Sequence, residues 1–384
     1  MHFRVHPSVS ISDDFNYCVA FNAATGVRAA FSLEEREVLV DLFARKILQT
    51  GSPSLSDAFI IDSNFAIDLF RLTFLVPEVD WQDLPCPCCG TNGHCIRMER
   101  YDPRFARVFC FVKCSKCEAV YLRPSPDKSL MKFLYGDVCL YSNRQLDSKR
   151  PYIEWTHKRS RSRRLGITSS SFGKDHIGVF LDVGCGTSSF LNNCYQLGWD
   201  VWGVDIDPSA IAHQRAECPE GKFFASAFLD AQLPEDHFDF VSFWSYFEHE
   251  QEQTASLSKA RKCLKQGGLL VIEVPDVGGR LVGFSGRYWP YWDPPFHVVH
   301  HGTRSLQRLL DKSGFKVVST QKHGTSPLYF KYSPLLLCAF TALQRSYNSK
   351  AMDVLVSGIS RATLPLEEIL GLAGKLVVVA AKSD

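Results

Sequence analysis

Residues 179–191 read VFLDVGCGTSSFL, a short apolar strand followed at once by a glycine turn and the start of a helix. The helix predicted over Ser188–Leu197 has its apolar residues on one face. Gly184 and Gly186 allow the backbone to turn sharply and allow a ligand to approach without a Cβ in the way. A strand, a glycine turn and a helix N-terminus together form the ligand crevice of a doubly wound α/β sheet.

A second apolar strand, VWGVD at residues 201–205, ends in an acid 19 residues after Gly186. A carboxylate at that point can accept hydrogen bonds from both hydroxyls of an adenosine ribose. Asp207 is predicted to cap the next helix, with Pro208 in its first turn. These features predict a nucleoside-containing ligand at the carboxyl edge of a parallel sheet.

A dinucleotide-binding dehydrogenase would supply similar glycines and a similar acid, so other features must separate the two classes. Asp182 stands two residues before the first glycine, where dinucleotide folds usually carry an apolar residue. Ser189 occupies the third glycine position of G-x-G-x-x-G. Downstream come the strand FDFVSFW at 238–244, then Glu248-His249, then LKQGG at 264–268 and the strand LLVIEVP at 269–275.

These ordered motifs resemble a known superfamily. FLDVGCGTSSFL…GVDIDPSAI…LPEDHFDFVSFWSYFEHE…ARKCLKQGGLLVIEVPD is similar to the class I S-adenosylmethionine (SAM)-dependent methyltransferases, and in particular to their ubiquinone O-methyltransferase-like branch. The similarity covers about residues 179–320, and KLVVVAAK near the C-terminus resembles the last strand of that fold. It implies a Rossmann-like domain over residues 177–384, with a seven-stranded sheet, an antiparallel last strand and an insertion at 321–374.

The resemblance also implies SAM as the cofactor and a set of residues that bind it. Gly184, Gly186 and Asp182 would cradle the methionine part, Asp205 would bind the ribose, and Ile206 would pack against the adenine. The complete implied set is Asp182, Gly184, Cys185, Gly186, Asp205, Ile206, Ser226 and Ala227. Two positions depart from the family. Ser188 replaces a glycine, and Ala227 replaces the acid that holds the adenine amino group, so Ser226 or the backbone would make that contact.

Histidines and aromatic residues collect at the predicted mouth of the sheet. The candidates are Glu248 and His249, after the fourth strand, and a second group with His297, His300 and His301, after the fifth. From these, His249, His297 and His300 are predicted to be catalytic. Methyl transfer is an in-line displacement that depends on alignment, and a base is needed only if the acceptor must lose a proton. For each histidine, a hydrogen bond that stabilises the loop is the alternative to a role as general base.

Two C-x-x-C pairs, Cys86–Cys89 and Cys114–Cys117, are separated by 24 residues. Four thiolates at this spacing can close a tetrahedral Zn²⁺ site with a structural role, and free or disulfide-bonded thiols are the alternative. Cys88, His94, Cys95 and Cys110 remain as spare ligands. The stretch CPCCG…VKCSKCEAVYLRPSP…LMKFLYGD resembles the zinc-ribbon leader of many bacterial methyltransferases. Residues 81–125 are therefore expected to form a zinc-ribbon-like module, with a helical connector over 126–176.

Residues 1–80 are predicted to form a small α+β, winged-helix-like domain. Apolar stretches Phe3–Val5, Tyr17–Phe21 and Val27–Phe31 predict strands, and Leu33–Leu48 and Asn64–Leu72 predict helices. The pattern resembles the peptide-recognition domains of enzymes that modify ribosomally made peptides, in which a leader peptide adds a strand to a sheet edge. The alternative is a packing or dimerisation domain without a ligand.

Composition sets the remaining expectations. The net charge of +2 gives no argument for a nucleic-acid or membrane partner. The apolar run Pro334–Leu343 is about half the length of the ~20 residues that span a bilayer, so a cytoplasmic protein is expected. The basic run His157–Arg164 is expected to be a solvated helix face.

The predicted activity is methyl transfer from SAM to a ribosomally made peptide or a natural-product acceptor. A small-molecule O-methyltransferase of secondary metabolism and a non-catalytic SAM- or peptide-binding subunit are the alternatives. Homodimer formation is left open.

Overall fold

The protein is represented by a computed structural model. It describes residues 2–5, 9–14, 17–22, 27–31, 75–78, 81–102, 105, 107–127, 130–131, 134–135, 151–172, 177–289, 291–323 and 374–383. The chain divides into two compact units. The first comprises residues 1–82, 99–109 and 126–140, and the second comprises 83–98, 110–125 and 141–384.

Three of the described N-terminal strands, the first, third and fourth, lie on the predicted apolar stretches. They are β1 (His2–Val5), β2 (Val9–Asp14), β3 (Tyr17–Asn22), β4 (Val27–Phe31) and β5 (Leu75–Glu78). β1 pairs with β5, while β2, β3 and β4 form an antiparallel meander. The helices predicted over Leu33–Leu48 and Asn64–Leu72 lie outside the described residues.

Three strands and a helix follow. They are β6 (His94–Asp102), β7 (Arg107–Cys114), β8 (Val120–Arg123) and α1 (Pro151–Phe172). The alternating elements of the C-terminal region are β9 (Val179–Val183), α2 (Ser189–Gln196), β10 (Asp200–Asp205), α3 (Pro208–Glu217), β11 (Lys222–Ala225), β12 (Phe238–Trp244), α4 (Gln253–Cys263), β13 (Leu264–Pro275), α5 (Arg280–Ser285), β14 (Val299–His300), α6 (Thr303–Lys312), β15 (Phe315–His323) and β16 (Lys375–Lys382).

A seven-stranded sheet with the order β11-β10-β9-β12-β13-β16-β15 organises the second unit. The neighbours from β11 to β13 pair in parallel. β16 lies antiparallel between β13 and β15. The predicted Rossmann-like sheet with an antiparallel last strand is thereby confirmed. β15 continues to His323, so the first residues of the predicted 321–374 insertion are strand, and residues 324–373 lie outside the described part.

Local sequence explains how the first crossover forms. Phe180 on β9 is fully buried and stacks on Phe240 of β12 at a centroid distance of 4.9 Å. Burying an apolar side chain of this size stabilises a fold by about 1.5–3 kcal/mol. Ser188 caps α2 by accepting a hydrogen bond from the amide of Phe190, and Asp207 caps α3 as predicted. These caps fix the two helix N-termini at the carboxyl edge of the sheet.

A smaller sheet has the order β14-β8-β7-β6. β14 pairs antiparallel with β8, with Val299 opposite Tyr121 and His300 opposite Val120. Both strands belong to the second compact unit, as do both cysteine pairs. Among the described residues, no helix has the length and apolar character that crossing a membrane requires.

Candidate functional site

The glycine turn after β9 adopts the backbone that only glycine accepts easily. Gly184 has φ +70° and Gly186 has φ +52°, both in the left-handed region. A Cβ on Gly184 would lie 2.8 Å from the Cδ2 atom of Tyr246, so the tyrosine ring lies directly over the turn. Sequence reasoning missed Tyr246, whose only signal is an aromatic side chain two residues after the end of β12.

Asp205 lies at the end of β10 and holds the glycine turn from the other side. Its carboxylate accepts hydrogen bonds from the amide of Gly186 at 2.8 Å and from the amide of Asp207 at 2.9 Å. Burial raises the pKa of Asp205, while these two amides oppose the rise. Each carboxylate oxygen has two lone pairs, so the group can still accept hydrogen bonds from ribose hydroxyls.

Two predicted cofactor residues are turned into the protein. Asp182 is 2 % exposed and accepts a hydrogen bond from the hydroxyl of Ser242 on β12 at 2.6 Å. Burial raises the pKa of Asp182 to about 7. The Cys185 side chain is buried in the hydrophobic core, so at this position only the backbone borders the crevice.

Gln214 is a second residue that sequence reasoning missed. Its side-chain amide donates to the carbonyl oxygens of Gly186 at 2.8 Å and Ser188 at 3.0 Å, and the residue is fully buried on α3. It fixes both sides of the turn that links β9 to α2. A polar residue on the buried face of α3, beside Ala210 and Ile211, is the signal that would have identified it.

The adenine side of the predicted site lies at the ends of β10 and β11. Ile206 is half-buried, and the amide of Ser226 donates to the carbonyl of Asp205 at 2.9 Å. Ala227 is exposed. The structure therefore brings the backbones of the predicted SAM-binding residues together at one edge of the sheet, although the Asp182 and Cys185 side chains point elsewhere.

A buried carboxylate pairs with three cations at the same carboxyl edge of the sheet. Glu273 on β13 is fully buried and pairs with Arg163 at 2.8 Å, and with Arg164 and Lys375 at 3.1 Å each. Burial alone would raise the pKa of Glu273, but these three cations hold it well below its ordinary value. The expectation of a solvated basic run is thus wrong for Arg163 and Arg164, whereas Lys158 and Arg159 are exposed.

Glu248 lies in the short 3-10 turn Phe247–His249 that follows β12. Its side chain is 2 % exposed, and its Oε2 atom has no hydrogen-bond partner among the described residues. Burial raises the pKa of Glu248 to about 7, with Lys375 opposing the rise. The carboxyl group can therefore change protonation near neutral pH, which suits a general base.

The catalytic candidates His249 and His297 are neighbours, with ring centroids 4.7 Å apart. The Nδ1 atom of His249 lies 2.9 Å from the carbonyl oxygen of Phe296, and that of His297 lies 2.8 Å from the carbonyl of Tyr291. A carbonyl can only accept, so each Nδ1 carries a proton, as in the loop-stabilising alternative. Burial and the nearby His297 lower the pKa of His249 to about 3.

His300 has a different environment. It is fully buried against the rings of Phe111, Trp289 and Trp292, with centroid distances of 5.4, 5.2 and 5.1 Å. Within the described part of the chain, neither ring nitrogen has a hydrogen-bond partner. Burial and the neighbouring His297 lower the pKa of His300 well below its ordinary value. The ring is therefore neutral.

Among the described residues, two clusters could hold a metal ion. In each cluster the ligand atoms all lie within 4.8 Å of one another, and the members are Cys86, Cys89, Cys114 and Cys117 in one and Glu248, His249 and His297 in the other. The sulfur pairs Cys86–Cys117 and Cys89–Cys114 are each 3.5 Å apart. Zn–S bonds of about 2.3 Å give tetrahedral S–S edges of about 3.8 Å, so the four cysteines fit zinc.

Known proteins are similar to parts of this chain, and the family model covers the glycine turn and the turn Phe247–His249. A family model described as "Methyltransferase domain" matches residues 147–320. A Mycolicibacterium smegmatis protein with the name "Probable S-adenosylmethionine-dependent methyltransferase" is 28% identical over 140 residues, 36% of this chain and 52% of that protein. The "Ubiquinone biosynthesis O-methyltransferase" of a Bradyrhizobium species is 30% identical over 95 residues, 24% of this chain and 38% of that protein.

A solved structure described as a SAM-dependent methyltransferase from Archaeoglobus fulgidus is 21% identical to this chain, with a TM-score of 0.41. The match covers 59% of this chain and 94% of that one. The chain spans about half the length of the Mycolicibacterium smegmatis relative.

Proposed function

We propose that this chain, which carries a class I SAM-dependent methyltransferase domain, transfers the methyl group of SAM to an acceptor beside the turn Phe247–His249. The observation that carries the proposal is that Glu248 follows closely, along the chain, the residue that contacts the glycine turn. Tyr246 covers Gly184, and the buried carboxyl of Glu248 follows it by two residues. A buried carboxyl group thus follows, two residues along the chain, the tyrosine that covers the glycine turn.

The residues present fit SAM. Asp205 would accept the ribose hydroxyls, the turn from Gly184 to Gly186 would lie against the methionine part, and Gln214 would keep that turn in place. Bound SAM supplies a methyl group on a positively charged sulfur. The protein's part is to align the acceptor with that methyl group and to remove a proton where the acceptor requires it.

Of the candidates named from the sequence, Glu248 is a better general base than the histidines. A base works best when its pKa lies near the operating pH. The pKa of Glu248 is about 7, whereas the pKa of His249 is about 3. We therefore assign proton removal to Glu248, while the rings of His249, His297 and His300 shape the acceptor site.

The rings around these histidines favour a small aromatic or otherwise flat acceptor with a hydroxyl group. Trp289 and Trp292 are buried with a centroid distance of 4.8 Å, and Tyr291 stacks on His297. Aromatic pairs of this kind gain about 0.5–1.5 kcal/mol beyond simple burial. O-methylation of a natural-product hydroxyl is the reaction that these neighbouring rings and a carboxylate base support best.

The experiment is a calorimetric titration with SAM, followed by a screen for S-adenosylhomocysteine formation with phenolic and other hydroxylated natural products. We expect SAM to bind and at least one hydroxylated compound to be methylated on oxygen. Glu248→Gln should bind SAM with unchanged affinity but lose transfer. No SAM binding by the intact protein would refute the proposal.

A peptide acceptor is the second candidate. Among the described strands, the meander β2-β3-β4 has β2 and β4 at its two ends. The backbone of such an edge strand can accept an added peptide strand. Peptides encoded beside the gene should then bind the intact chain tightly and fail to bind a variant lacking residues 1–80.

For the four cysteines we propose a structural Zn²⁺. The support is the tetrahedral spacing of Cys86, Cys89, Cys114 and Cys117, which leaves no position for a substrate. Elemental analysis should find one zinc per chain, and Cys114→Ser should lose it. A zinc content far below one in the purified protein would remove this assignment.

A further inference from the structure

We call residues 83–98 and 110–125, which carry the four clustered cysteines, the ribbon. Backbone hydrogen bonds connect the ribbon to the turn that carries Glu248. The amide of Leu122 on β8 donates to the carbonyl of Val298 at 2.8 Å, and the amide of Val298 donates to the carbonyl of Glu248 at 2.8 Å. Val298 therefore lies between the ribbon and the turn, hydrogen-bonded to both. The next residues form β14, which extends the pairing with β8.

A second connection runs through Cys88, the cysteine of C-P-C-C that is not among the four clustered sulfurs. Cys88 is 4 % exposed, and its thiol donates to the Oε1 atom of Gln253 at 3.3 Å. The same oxygen lies 2.7 Å from Nε2 of His301, which donates to it because a carbonyl oxygen can only accept. The side-chain amide of Gln253 in turn donates to the carbonyl of Phe247 at 2.8 Å.

A third contact is aromatic. Phe111 on β7 is fully buried, with its ring centroid 4.8 Å from that of Trp292 and 5.4 Å from that of His300. The ribbon thus contributes a side chain to the cluster of histidine and tryptophan rings. All of these residues belong to the second compact unit of the chain.

We propose that the ribbon is a positioning element of the acceptor site, with Cys88 as a positioning residue that holds the turn Phe247–His249 through Gln253. The assignment of this turn to the acceptor site rests on the proposed function. In this arrangement the ribbon does more than hold its own fold together. It determines where the Glu248 carboxyl lies, whereas the glycine turn that would hold SAM is fixed separately by Asp205 and Gln214.

Three variants of the full-length protein separate the possibilities. Cys88→Ala removes the hydrogen bond to Gln253, and Cys88→Ser restores a donor at nearly the same place. Cys95→Ala is the matched control, because Cys95 is an exposed cysteine of the same ribbon. Each variant is compared with the wild type by zinc content, by calorimetric SAM affinity and by amide hydrogen exchange measured with mass spectrometry.

We expect Cys88→Ala to keep its zinc and its SAM affinity. The amides of His249, Glu250 and Val298 should exchange on the order of tenfold faster, the effect of losing one buried hydrogen bond. Exchange over residues 179–191 should stay unchanged. Cys88→Ser should return the rates to within about twofold of wild type, and Cys95→Ala should leave them unaltered.

The assignment is overturned if Cys88→Ala loses zinc, because Cys88 would then be a metal ligand. It is equally overturned if exchange at the turn does not change, or if exchange rises equally throughout the chain. With an acceptor found by the screen, Cys88→Ala should lower kcat and leave the KM for SAM unchanged. A failure to find SAM binding or an acceptor would count against the proposed function. The hydrogen-exchange results do not depend on SAM or on an acceptor, so they test the positioning role separately.

Discussion

Replacing Glu273 by glutamine tests the buried charge cluster. The change keeps the shape of the side chain but removes the negative charge that pairs with Arg163, Arg164 and Lys375, at distances of 2.8, 3.1 and 3.1 Å. Removing one partner of a buried ion pair costs about 3–5 kcal/mol because the remaining charge is left uncompensated. Glu273 is fully buried and faces three cations, so we expect Glu273→Gln to lower the free energy of unfolding by about 3–5 kcal/mol.

The assay is urea unfolding followed by tryptophan fluorescence and circular dichroism. Glu235→Gln is the matched control, because Glu235 pairs with Lys262 at 3.7 Å while both side chains are about two-thirds exposed, at 68% and 66%. Exposed ion pairs typically contribute about 0–1 kcal/mol, so this control should unfold almost like the wild type. A stability loss in Glu273→Gln no larger than that of the control would refute the argument.

The pH dependence supplies an independent check. The cations depress the folded-state pKa of Glu273, so its contribution is fully present above the unfolded-state pKa of about 4.3 and disappears as the pH falls through the folded-state pKa. The difference between wild type and Glu273→Gln should therefore be constant from about pH 5 to pH 8 and shrink in more acidic solution. A difference that grows on acidification would contradict the assigned charge state.

Three further outcomes are expected. Asp205→Ala should fold but bind SAM at least about 100-fold more weakly in calorimetry, because hydrogen bonds to a charged acceptor contribute about 1.5–3 kcal/mol each; unchanged binding would sink the ribose assignment. Glu248→Gln should reduce kcat by about 10²–10⁴. In the wild type kcat should rise as the pH passes the Glu248 pKa of about 7, and the variant should lack this rise; an unaltered pH profile would exclude this base. Gly184→Ala should lower SAM affinity and thermal stability, since its Cβ would lie 2.8 Å from Tyr246, and Gly283→Ala, which meets nothing within 4 Å, is the control.

Local signals were sufficient for the central part of the fold. The apolar runs at 179–183 and 238–244 are β9 and β12, and the predicted cap Asp207 does accept a hydrogen bond from the amide of Ser209. Each of these features depends on neighbours within a few residues, which periodicity and capping preferences capture. Resemblance to a known superfamily then supplied the number of strands and the antiparallel last strand, which these patterns leave open.

Contacts between residues that are far apart in the chain could not be predicted from the sequence. β14 has only two residues, too few for any periodicity, and its pairing with β8 joins positions 300 and 120. Arg163 and Arg164 are partly buried because they pair with Glu273. A helical pattern in the basic run does not reveal this pairing. An acid inside the apolar run LLVIEVP was nevertheless a signal, because a buried carboxylate requires cationic or hydrogen-bonding partners.

The place of β16 between β13 and β15 matters while the protein is being made. β16 is the last of the seven strands to be synthesised, yet it fills a gap inside the sheet, pairing over residues 269–275 on one side and 315–323 on the other. Until residues 375–382 have left the ribosome, β13 and β15 each expose an open strand edge, and such edges can pair with other chains. Nascent chains of this protein are therefore vulnerable to mutual association until β16 has emerged and paired, and chaperone protection of those two edges would help most in that interval.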